Sequence, residues 1–336
     1  MKIFITGATG YLGGKILRFA HEQGHNIRVL CRQAPEAGIL PDNVEITLGD
    51  LSQPDALVEA MQGCDALIHT AGLVSIWQRD PQNFHRVNVD GTVNLLKAAR
   101  EAGVKRIIYT SSFFALGPTD EHPADESWNN PDESCMTEYA RSKTIALQRV
   151  REQIANGMDI IPLYPALIYG PGKATQGNFI TKMVDDFLHR RIPGVLGGGN
   201  GRWTYSYVDD VAKGHLLALE NGRKGESYIL GGEDASLNEL LDLLHELTGV
   251  KRPNMKIPNT LAKGVAWIEE LRARASRNYI PKLTVEVVDV YKRNWRYSSN
   301  KAITELGYCR TPLKVGLYSI LNSLGFIHPD ERKTML

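Results

Sequence analysis

The sequence has few of the features that mark disulfide-rich, metal-binding or membrane-spanning proteins. Its four cysteines, Cys31, Cys64, Cys135 and Cys309, are widely scattered, without a Cys-x-x-Cys spacing or a histidine at a ligand interval. They predict neither a disulfide framework nor a zinc site, and free thiols in a reducing compartment fit them best. No run approaches about 18 consecutive apolar residues, and the opening "MKIFITGATG" lacks a signal-peptide pattern. We expect a soluble, cytoplasmic protein with no transmembrane segment and no metal.

The sequence also has little net charge. Its formal charge is +1 and its isoelectric point is near 7.7, while 43% of the residues are hydrophobic and 23% are charged. This balance is that of an ordinary globular chain and argues against intrinsic disorder. Because the chain as a whole carries no large basic field, we expect neither nucleic acid nor an anionic membrane surface as the main partner. A small molecule is the partner that fits best.

The first half of the sequence alternates between short apolar runs and longer amphipathic segments. Strands that alternate with helices predict a parallel, doubly wound sheet with right-handed crossovers. We therefore assign the chain to the α/β class, with a Rossmann-type sheet. The predicted strands are "KIFIT", "NIRVLCR", "VEITLG", "DALIHTA", "RIIYTSS" and "DIIPLYP", and the predicted helices lie near residues 11–23, 54–62, 84–102 and 136–156.

The alternation ends near residue 170. Gly-rich loops such as "PGVLGGGNGR" follow, and later helical patterns such as "SLNELLDLLHEL" have no regular strand partners. We expect a smaller, mostly helical C-terminal substrate lobe, with "ESYILGG" returning to the main sheet. The predicted dinucleotide-binding domain is 1–170 with parts of 200–232, and the predicted substrate-binding lobe is 171–199 with 233–336.

A glycine-rich loop follows the first predicted strand. In "FITGATGYLGGKI", Gly7, Gly10 and Gly13 stand where a strand turns into a helix. Glycine allows the tight turn and the close approach of a pyrophosphate to the backbone, and the helix N-terminus attracts negative charge. At this position in a βαβ pattern, the loop predicts a dinucleotide site.

The choice between NAD and NADP is read after the second predicted strand. An acidic residue there binds the 2′-hydroxyl of NAD, and a basic residue accommodates the 2′-phosphate of NADP. The strand ends "RVLCRQ", so Arg32 favours NADP, although this side chain could also stack on the adenine or face solvent. Asp50, after the third strand, is either a ligand of the adenine amino group or a helix N-cap.

Four tyrosines are followed by a lysine four residues later, so the spacing alone does not identify a catalytic pair. The first pair, Tyr11/Lys15, lies in the glycine loop. The third, Tyr169/Lys173, spans a Gly-Pro-Gly interior that cannot be helical. In the fourth pair the tyrosine precedes a helix that Ser298, Ser299 or Asn300 would cap. The pairs are, in order, Tyr11/Lys15, Tyr139/Lys143, Tyr169/Lys173 and Tyr297/Lys301.

The second pair lies in "TEYARSKTIALQRVREQ", which has good helix formers, no glycine or proline, and Thr137 as a potential cap. On a helix Tyr139 and Lys143 share one face, and the ammonium would favour the phenolate. Such a phenol acts as a general base for an alcohol or a general acid for a carbonyl. The hydroxyls of residues 110–112 ("TSS") follow a predicted strand, at the sheet edge where ligands bind, and can orient a substrate oxygen.

The chain resembles the extended short-chain dehydrogenase/reductases over nearly its whole length. The similar pieces are "TGATGYLG", "CDALIHTAG", "NVDGTVNLLKAA", "IIYTSSFFALG", "YARSK", "LYPALIYGPG", "YSYVDDVAKGH" and "KAITELGY". The resemblance implies an enzyme with a Ser-Tyr-Lys triad, here Ser112, Tyr139 and Lys143, with Ser111 as the alternative serine. It also implies that the lysine binds the nicotinamide ribose and that hydride is exchanged with C4 of the ring.

In such enzymes further residues surround the cofactor. The resemblance implies that Ala71 and Gly72 line it, that Asn88 opens a helix beneath the site, and that Pro165 and Ile168 flank the nicotinamide. The full set that we expect at the cofactor, NADP or NAD, is Gly7, Thr9, Gly10, Tyr11, Leu12, Gly13, Arg32, Asp50, Leu51, Ala71, Gly72, Asn88, Ser111, Tyr139, Lys143, Pro165 and Ile168.

Two phenylalanines follow the expected catalytic serine and predict either an apolar substrate pocket or core packing. The similarity is greatest to dihydroflavonol-reductase-like enzymes and, among them, to plant farnesol dehydrogenases. This implies a small hydrophobic substrate, a prenyl, terpenoid or polycyclic alcohol interconverted with its aldehyde or ketone. The farnesol group is described as NAD-using, so NADP and NAD stay nearly even. The expected substrate residues are Phe113, Phe114, Ala166, Phe179, Trp203 and Tyr205.

Two other functions stay open. Arg202 in "GRWTYSYVDD" is compatible with a nucleotide-sugar 4-epimerase, because relatives use an arginine near this point on the diphosphate, or is a solvated loop residue. A cofactor-binding redox sensor without turnover fits less well with a complete Ser-Tyr-Lys set. Relatives often pair through the helices near 84–102 and 136–156, so a homodimer is compatible with the sequence.

Overall fold

The computed structural model describes residues 1–129, 137–173 and 176–326. Cys135 and the first residue of the predicted helix 136–156 lie outside the described residues, as do positions 174–175 and 327–336 of the predicted substrate lobe. The remaining sequence-based expectations fall on described residues.

The strands and helices follow the predicted alternation closely. The strands are β1 (Lys2–Thr6), β2 (Asn26–Cys31), β3 (Glu45–Leu48), β4 (Ala66–His69), β5 (Arg106–Thr110), β6 (Ile160–Pro165), β7 (Leu167–Tyr169), β8 (Val195–Leu196), β9 (Arg202–Tyr207), β10 (Tyr228–Leu230), β11 (Glu233–Ser236) and β12 (Lys256–Ile257). The helices are α1 (Tyr11–Glu22), α2 (Pro54–Met61), α3 (Gln82–His85), α4 (Gly91–Glu101), α5 (Glu138–Ala155), α6 (Phe179–Leu188), α7 (Val208–Asn221), α8 (Leu237–Thr248), α9 (Asn259–Ala275), α10 (Val285–Val290), α11 (Asn300–Leu306) and α12 (Leu313–Ser323).

Seven strands form one sheet in the order β10-β6-β5-β4-β1-β2-β3, and every neighbouring pair is parallel. β10, from the "ESYILGG" segment, is the outer strand beside β6. The strand order reverses between β1 and β4, and at such a point the loops that leave the two strands diverge and open a crevice for ligands. The α/β class and the doubly wound parallel sheet are therefore confirmed.

The core consists of the sheet and a layer of helices on each face. Strands β4 and β6 are buried throughout, as expected for parallel strands covered on both sides. On one face Ile16 of α1 and Val211 of α7 pack against the sheet, and on the other Leu57 of α2, Leu95 of α4 and Val150 of α5 do so. This burial fixes the strand ends that carry the site.

Helices predominate in the C-terminal part, but it also contains strands that the sequence pattern did not predict. β11, β9 and β7 form a small mixed sheet, and β12 pairs with β8. These strands are only two to six residues long, too short for a clear period-two pattern in the sequence. Through β9, which is bonded to β7, this part is joined to the chain just beyond β6.

Among the described residues, no helix combines the length and the apolar character that crossing a membrane would require.

Candidate active site

The glycine loop between β1 and α1 requires glycine on steric grounds. Gly7 has φ +77°, in the left-handed region, and its carbonyl accepts a hydrogen bond from the Gly10 amide at 2.9 Å. A Cβ on Gly7 would lie 2.7 Å from the Ala71 amide nitrogen, and a Cβ on Gly13 would lie 2.1 Å from the Gly7 oxygen. The loop is thus a surface of bare backbone that any larger residue would fill.

Helix α1 begins directly after this loop. Its N-cap, Gly10, makes no side-chain cap hydrogen bond, and the first turn contains no acidic residue. The amide groups of the first turn are therefore not capped by a side chain, which is the arrangement that binds a pyrophosphate. The bare loop and the uncapped helix together fit a dinucleotide.

The structure corrects the interpretation of the first tyrosine–lysine pair. Tyr11 and Lys15 lie on α1 rather than in the loop. The Lys15 ammonium is 2.8 Å from a carboxylate oxygen of Asp209, and the Tyr11 phenol is buried against Gly170. The pair is therefore directed towards α7 and the loop after β7.

The two residues expected to select the nucleotide lie near each other. Arg32 is exposed immediately after β2, and its charge helps to lower the pKa of Asp50, which is lowered mainly by hydrogen bonds from Ser52. The expected N-cap role is wrong, because α2 begins after Gln53, whereas Asp50 accepts the Ser52 amide at 2.9 Å. Leu51, beside Asp50, is buried.

A chain of hydrogen bonds runs behind the strand ends of β1 and β4. The Thr6 hydroxyl is 2.7 Å from His69 Nδ1, and His69 Nε2 is 3.0 Å from the Thr92 hydroxyl, which itself donates to the Asn88 carbonyl at 2.7 Å. Since Thr92 uses its proton on that carbonyl, His69 donates from Nε2 and accepts at Nδ1. Burial and then the charge of Lys143 lower the pKa of His69 to about 3, so this imidazole is neutral.

Asn88 links the loop after β4 to helix α5. Its Oδ1 accepts the Leu73 amide at 2.7 Å, and its Nδ2 donates to the Leu73 carbonyl at 3.1 Å and to the Ser142 hydroxyl at 2.9 Å. The expectation that Asn88 opens a helix is wrong. It lies in a π turn, Arg86–Asp90, inside a continuous helical segment from α3 to α4. Such turns interrupt helices to direct a side chain inwards.

Ala71 and Gly72 lie where the resemblance implied, at the carboxyl end of β4. The Ala71 amide donates to the Thr6 hydroxyl at 3.3 Å. A Cβ on Gly72 would lie 3.2 Å from Asn88 Oδ1 and 3.5 Å from Lys143 Nζ. The missing side chain leaves room beside the lysine.

Helix α5 begins where the sequence predicted. Thr137 is its N-cap and accepts the Ala140 amide at 3.1 Å. The buried Lys143 ammonium donates to the Thr110 carbonyl at 3.0 Å, which holds α5 against the end of β5. Burial lowers the pKa of Lys143 to about 8.

The expected direction of the Tyr139 pKa is wrong for the protein alone. Burial raises the pKa to about 12, and a hydrogen bond from the Ser112 hydroxyl opposes this rise. Lys143 is held by the Thr110 carbonyl instead. Of the two candidate serines, Ser112 is the one bonded to the phenol, while Ser111 is buried beside it with its amide on the Leu163 carbonyl at 2.8 Å.

One polar partner at this strand end was not found from the sequence. The Thr110 hydroxyl lies 2.9 Å from Nε2 of the fully buried His215, whose Nδ1 bonds the Val211 carbonyl at 2.8 Å. Burial lowers the pKa of His215 to about 4. A lone histidine in an apolar helix gives no sequence signal of this contact.

The other two tyrosine–lysine pairs are occupied elsewhere. Tyr169 is buried in β7, and Gly170 to Gly172 separate it from Lys173 in a non-helical turn. Tyr297 precedes α11, where Ser299 occupies the N-cap position but its hydroxyl donates to the Gly231 carbonyl. The Tyr297 phenol donates to the Gly117 and Phe113 carbonyls. Lys301 forms an ion pair with Glu226 at 2.6 Å.

Beside Tyr139 the structure assembles a group of rings that we call the aromatic wall. The Phe114 ring meets the Tyr139 ring edge to face at 6.0 Å and the Trp295 ring at 4.8 Å. Phe113 stacks on Phe114 at 4.2 Å. The members of the wall are Phe113, Phe114, Trp203, Tyr291, Trp295 and Tyr297.

Three of the six expected substrate residues belong to the aromatic wall, and the other three lie outside it. Phe113, Phe114 and Trp203 belong to the aromatic wall, and within it Phe114 is partly exposed whereas Phe113 is buried. Tyr205 packs on Tyr169 at 6.2 Å. Ala166 is buried, and Phe179 is 43% exposed at the start of α6.

Three residues of the wall, Tyr291, Trp295 and Tyr297, were missed. Their order in "YKRNWRY", with a tyrosine at each end and the tryptophan between them, was the only signal in the sequence. The segment bridges to β9, since the Thr204 amide donates to the Trp295 carbonyl at 2.9 Å.

Three further residues complete the list of expected positions. Pro165 ends β6 and is buried, and Ile168 is a partly buried residue of β7. The Arg202 guanidinium holds both carboxylate oxygens of Glu239, at 2.9 and 2.8 Å. This arginine is therefore already paired within the chain.

Comparison with known proteins places these observations in a family. Residues 3–231 match the NAD dependent epimerase/dehydratase family. A putative dihydroflavonol 4-reductase of Synechocystis is 36% identical over 94% of this chain and 92% of its own length. A 4-hydroxy-2-methyl-3-oxo-4-farnesyl-3,4-dihydroquinoline-1-oxide ketoreductase of Stigmatella aurantiaca is 33% identical over 92% of each chain. The crystal structure of gox2253 is 35% identical, with a TM-score of 0.81 over 96% of this chain and 97% of that one.

The glycine loop, the helix-borne tyrosine and lysine, and the serine at the end of β5 lie at the carboxyl ends of neighbouring parallel strands, as in an NAD(P)-dependent oxidoreductase. The relatives named as reductases agree with this chemistry. The chain belongs to the NAD dependent epimerase/dehydratase family and, within it, to the dihydroflavonol-reductase-like extended short-chain dehydrogenase/reductases.

Proposed function

We propose that this protein interconverts a hydrophobic alcohol, of prenyl, terpenoid or polycyclic type, with its aldehyde or ketone. The observation that carries the proposal is the contact between Phe114 and Tyr139, whose rings lie 6.0 Å apart. It puts the edge of the aromatic wall beside the expected acid–base group. A substrate that reaches the phenol therefore lies against apolar rings, which favours a carbon skeleton over a sugar.

The residues around the phenol divide the chemistry between them. Tyr139 takes the proton of the alcohol or returns it to the carbonyl oxygen, and Ser112 bonds the same oxygen and orients it. Bound NAD or NADP supplies or accepts the hydride at its nicotinamide. The ammonium of Lys143 is fixed by the Thr110 carbonyl at 3.0 Å and would hold the ribose of the nicotinamide.

The printed names of the relatives support an apolar substrate. One is named for a dihydroflavonol, a polycyclic compound, and another for a quinoline that carries a farnesyl chain. For the cofactor we propose a slight preference for NADP, because the exposed guanidinium of Arg32 directly follows β2. The pairing of Arg202 with Glu239 leaves the nucleotide-sugar alternative without a free arginine at that position.

Turnover with a substrate panel tests this proposal. Farnesol, cyclic terpenoid alcohols and flavanonols should produce net reduction of NAD or NADP, whereas UDP- and GDP-sugars should not be interconverted. Tyr139→Phe should lower kcat about 10²- to 10⁴-fold, the usual contribution of general acid–base catalysis. Tyr169→Phe is the matched control, because its buried phenol has no hydrogen-bond partner among the described residues, and it should keep wild-type activity. Interconversion of sugars without net cofactor change would contradict the proposal.

A further inference from the structure

Helix α9 has its large and small apolar side chains on unexpected sides. The side that packs on the protein consists of alanines, Ala262, Ala266 and Ala273, and Ala262 and Ala266 meet Val288 of α10. The outward side carries the large residues, and with Ile280 these account for six of the fifteen exposed large apolar side chains of the described residues. We call this surface the α9 face; its residues are Leu261, Val265, Trp267, Ile268, Leu271 and Ile280.

The apolar part of the α9 face is wide. At 3.6 residues per turn, the helical positions span roughly 160° of the circumference. Trp267 is 59% exposed, which is unusual for the largest side chain of a helix. Contiguous exposed apolar surface of this kind marks an interaction site.

The charges around the α9 face are strongly one-sided. Residues 251–284 contain eight basic and two acidic side chains, a net charge of +6 in a chain whose total is +1. The two acids are turned inwards: Glu269 accepts from the Tyr279 phenol at 2.6 Å, and Glu270 accepts the Val285 amide at 2.8 Å. Arg272 and Arg274 are 65% and 72% exposed, and their guanidinium groups reach these two acids only at 3.7 and 3.9 Å. Lys263 is paired with Asp289 at 2.8 Å, so the excess positive charge comes from the other basic residues of the segment.

We propose that the α9 face docks on an anionic lipid surface, with α9 lying in the plane of the interface. A helix with an apolar arc, a tryptophan and flanking cations has the composition that binds at the boundary between headgroups and acyl chains. Lysines and arginines near such a surface each add electrostatic attraction. A second copy of the chain is a poorer occupant, because a two-fold interface would bring two segments with an excess of positive charge together.

The α9 face is joined by direct contacts to elements that carry the candidate active site. The Arg79 guanidinium donates to the carbonyls of Ala273 at 2.7 Å and Ser276 at 2.6 Å, at the end of α9. Arg79 belongs to the same loop after β4 whose Leu73 is bonded to Asn88. On the other side α10, which packs on α9, leads into Tyr291 of the aromatic wall. Docking would thus bring the lipid surface against elements that contact the site on two sides.

Co-sedimentation with vesicles tests the docking without any substrate, and therefore independently of the function proposed above. The protein should bind vesicles of equimolar phosphatidylcholine and phosphatidylglycerol, and bind vesicles of phosphatidylcholine alone more weakly. Added salt should weaken the binding. Trp267→Glu should lower the partition coefficient at least about tenfold, since a large apolar side chain is lost from the contact. The double variant Arg272→Glu/Arg274→Glu should remove the preference for phosphatidylglycerol.

Ile46→Glu is the matched control, because Ile46 is a similarly exposed apolar residue on β3, at the far edge of the main sheet. It should bind vesicles like the wild type. Thermal unfolding of each variant shows whether it folds, and the charge-reversal variant keeps the test decisive if Trp267→Glu does not. Equal sedimentation with and without vesicles would overturn the proposal. So would light scattering that shows a wild-type dimer which Trp267→Glu converts to a monomer.

Discussion

The candidate active site has an expected cofactor side and an expected substrate side, and the two are built differently. The cofactor side is backbone: the turn at Gly7, the chain at Ala71 and Gly72, and the Thr110 carbonyl all lie at the ends of neighbouring parallel strands. The aromatic wall is side chains, drawn from residues 113–114, from β9 and from the segment 291–297. The shape of the cofactor side is set by the path of the backbone, and the shape of the aromatic wall is set by the identity of its side chains.

This difference teaches which changes each side can tolerate. A backbone surface fails when any atom is added, because neighbouring carbonyls cannot rotate away. The protein can lose one ring of the aromatic wall and still fold, although the surface that contacts the ligand then has a different shape. Substitutions that act on one side and leave the other unchanged therefore measure whether the division is real.

The largest effect is expected for Gly13→Ala on the cofactor side. Its Cβ would lie 2.1 Å from the Gly7 oxygen and 2.7 Å from the Gly7 carbonyl carbon. We expect the free energy of unfolding to fall by more than about 4 kcal/mol and NADH binding to be lost. Denaturant unfolding and NADH fluorescence titration measure both.

Gly14→Ala is the adjacent control. Its Cβ would meet the Ala8 oxygen at 3.4 Å, an ordinary contact, so alanine should raise helix stability by about 0.5–1 kcal/mol and keep NADH affinity. If Gly13→Ala binds NADH as well as Gly14→Ala does, the cofactor side is not defined by bare backbone.

A second effect concerns the pH dependence of stability. Because burial lowers the pKa of Lys143 to about 8 from an ordinary 10.5, the unfolded chain holds this proton more tightly than the folded protein does. Stability relative to Lys143→Met should therefore increase as the pH rises from about 8 to about 10.5, by on the order of 3 kcal/mol. Urea unfolding at a series of pH values measures this difference, and a flat curve would mean that the ammonium is well solvated. Lys182→Met, at an exposed position, controls for the loss of a lysine.

On the substrate side we expect a smaller and more selective effect. Phe114→Ala removes the ring next to Tyr139 and should raise KM for an apolar alcohol about tenfold while the NADH dissociation constant stays the same. Phe179→Ala, at a 43% exposed position, should raise KM less. An equal rise in KM for both variants would mean that the apolar substrate side extends to α6.

An effect of the same size as that of Phe114→Ala is expected at the nucleotide end. Arg32→Ala should weaken NADP binding about tenfold, because one charge-assisted contact to the 2′-phosphate is lost. NAD binding should change by about twofold or less. Fluorescence titration with both cofactors gives the ratio of dissociation constants, and an unchanged ratio would remove the case for a preference for NADP.

The parts of the fold that depend on residues close together in the sequence were predictable. The order of strands and helices, the cap at Thr137 and the start of α11 after Tyr297 follow from local patterns, and the structure agrees with each. The meeting of Ser112 with Tyr139 was also expected, because both were placed at the carboxyl edge of one parallel sheet.

The features that the sequence did not reveal depend on contacts between distant residues. Trp295 meets Phe114 only because the chain returns 181 residues later. Burial, which reverses the expected shift of the Tyr139 pKa, is a property of the packed structure. The total charge of +1 likewise concealed the basic segment 251–284, because an average over the chain says nothing about where charges lie.

The π turn at Arg86–Asp90 has a consequence for protein engineering. A π turn accommodates one residue more than the regular helix would, so the segment is sensitive to length rather than only to side-chain identity. Deleting Val87 would let a regular helix form and would rotate one half of the segment by about 100° against the other. Asn88 could then no longer reach both Leu73 and Ser142. Libraries that shorten or lengthen this helix by one residue should therefore yield inactive proteins, even where every single substitution nearby is accepted.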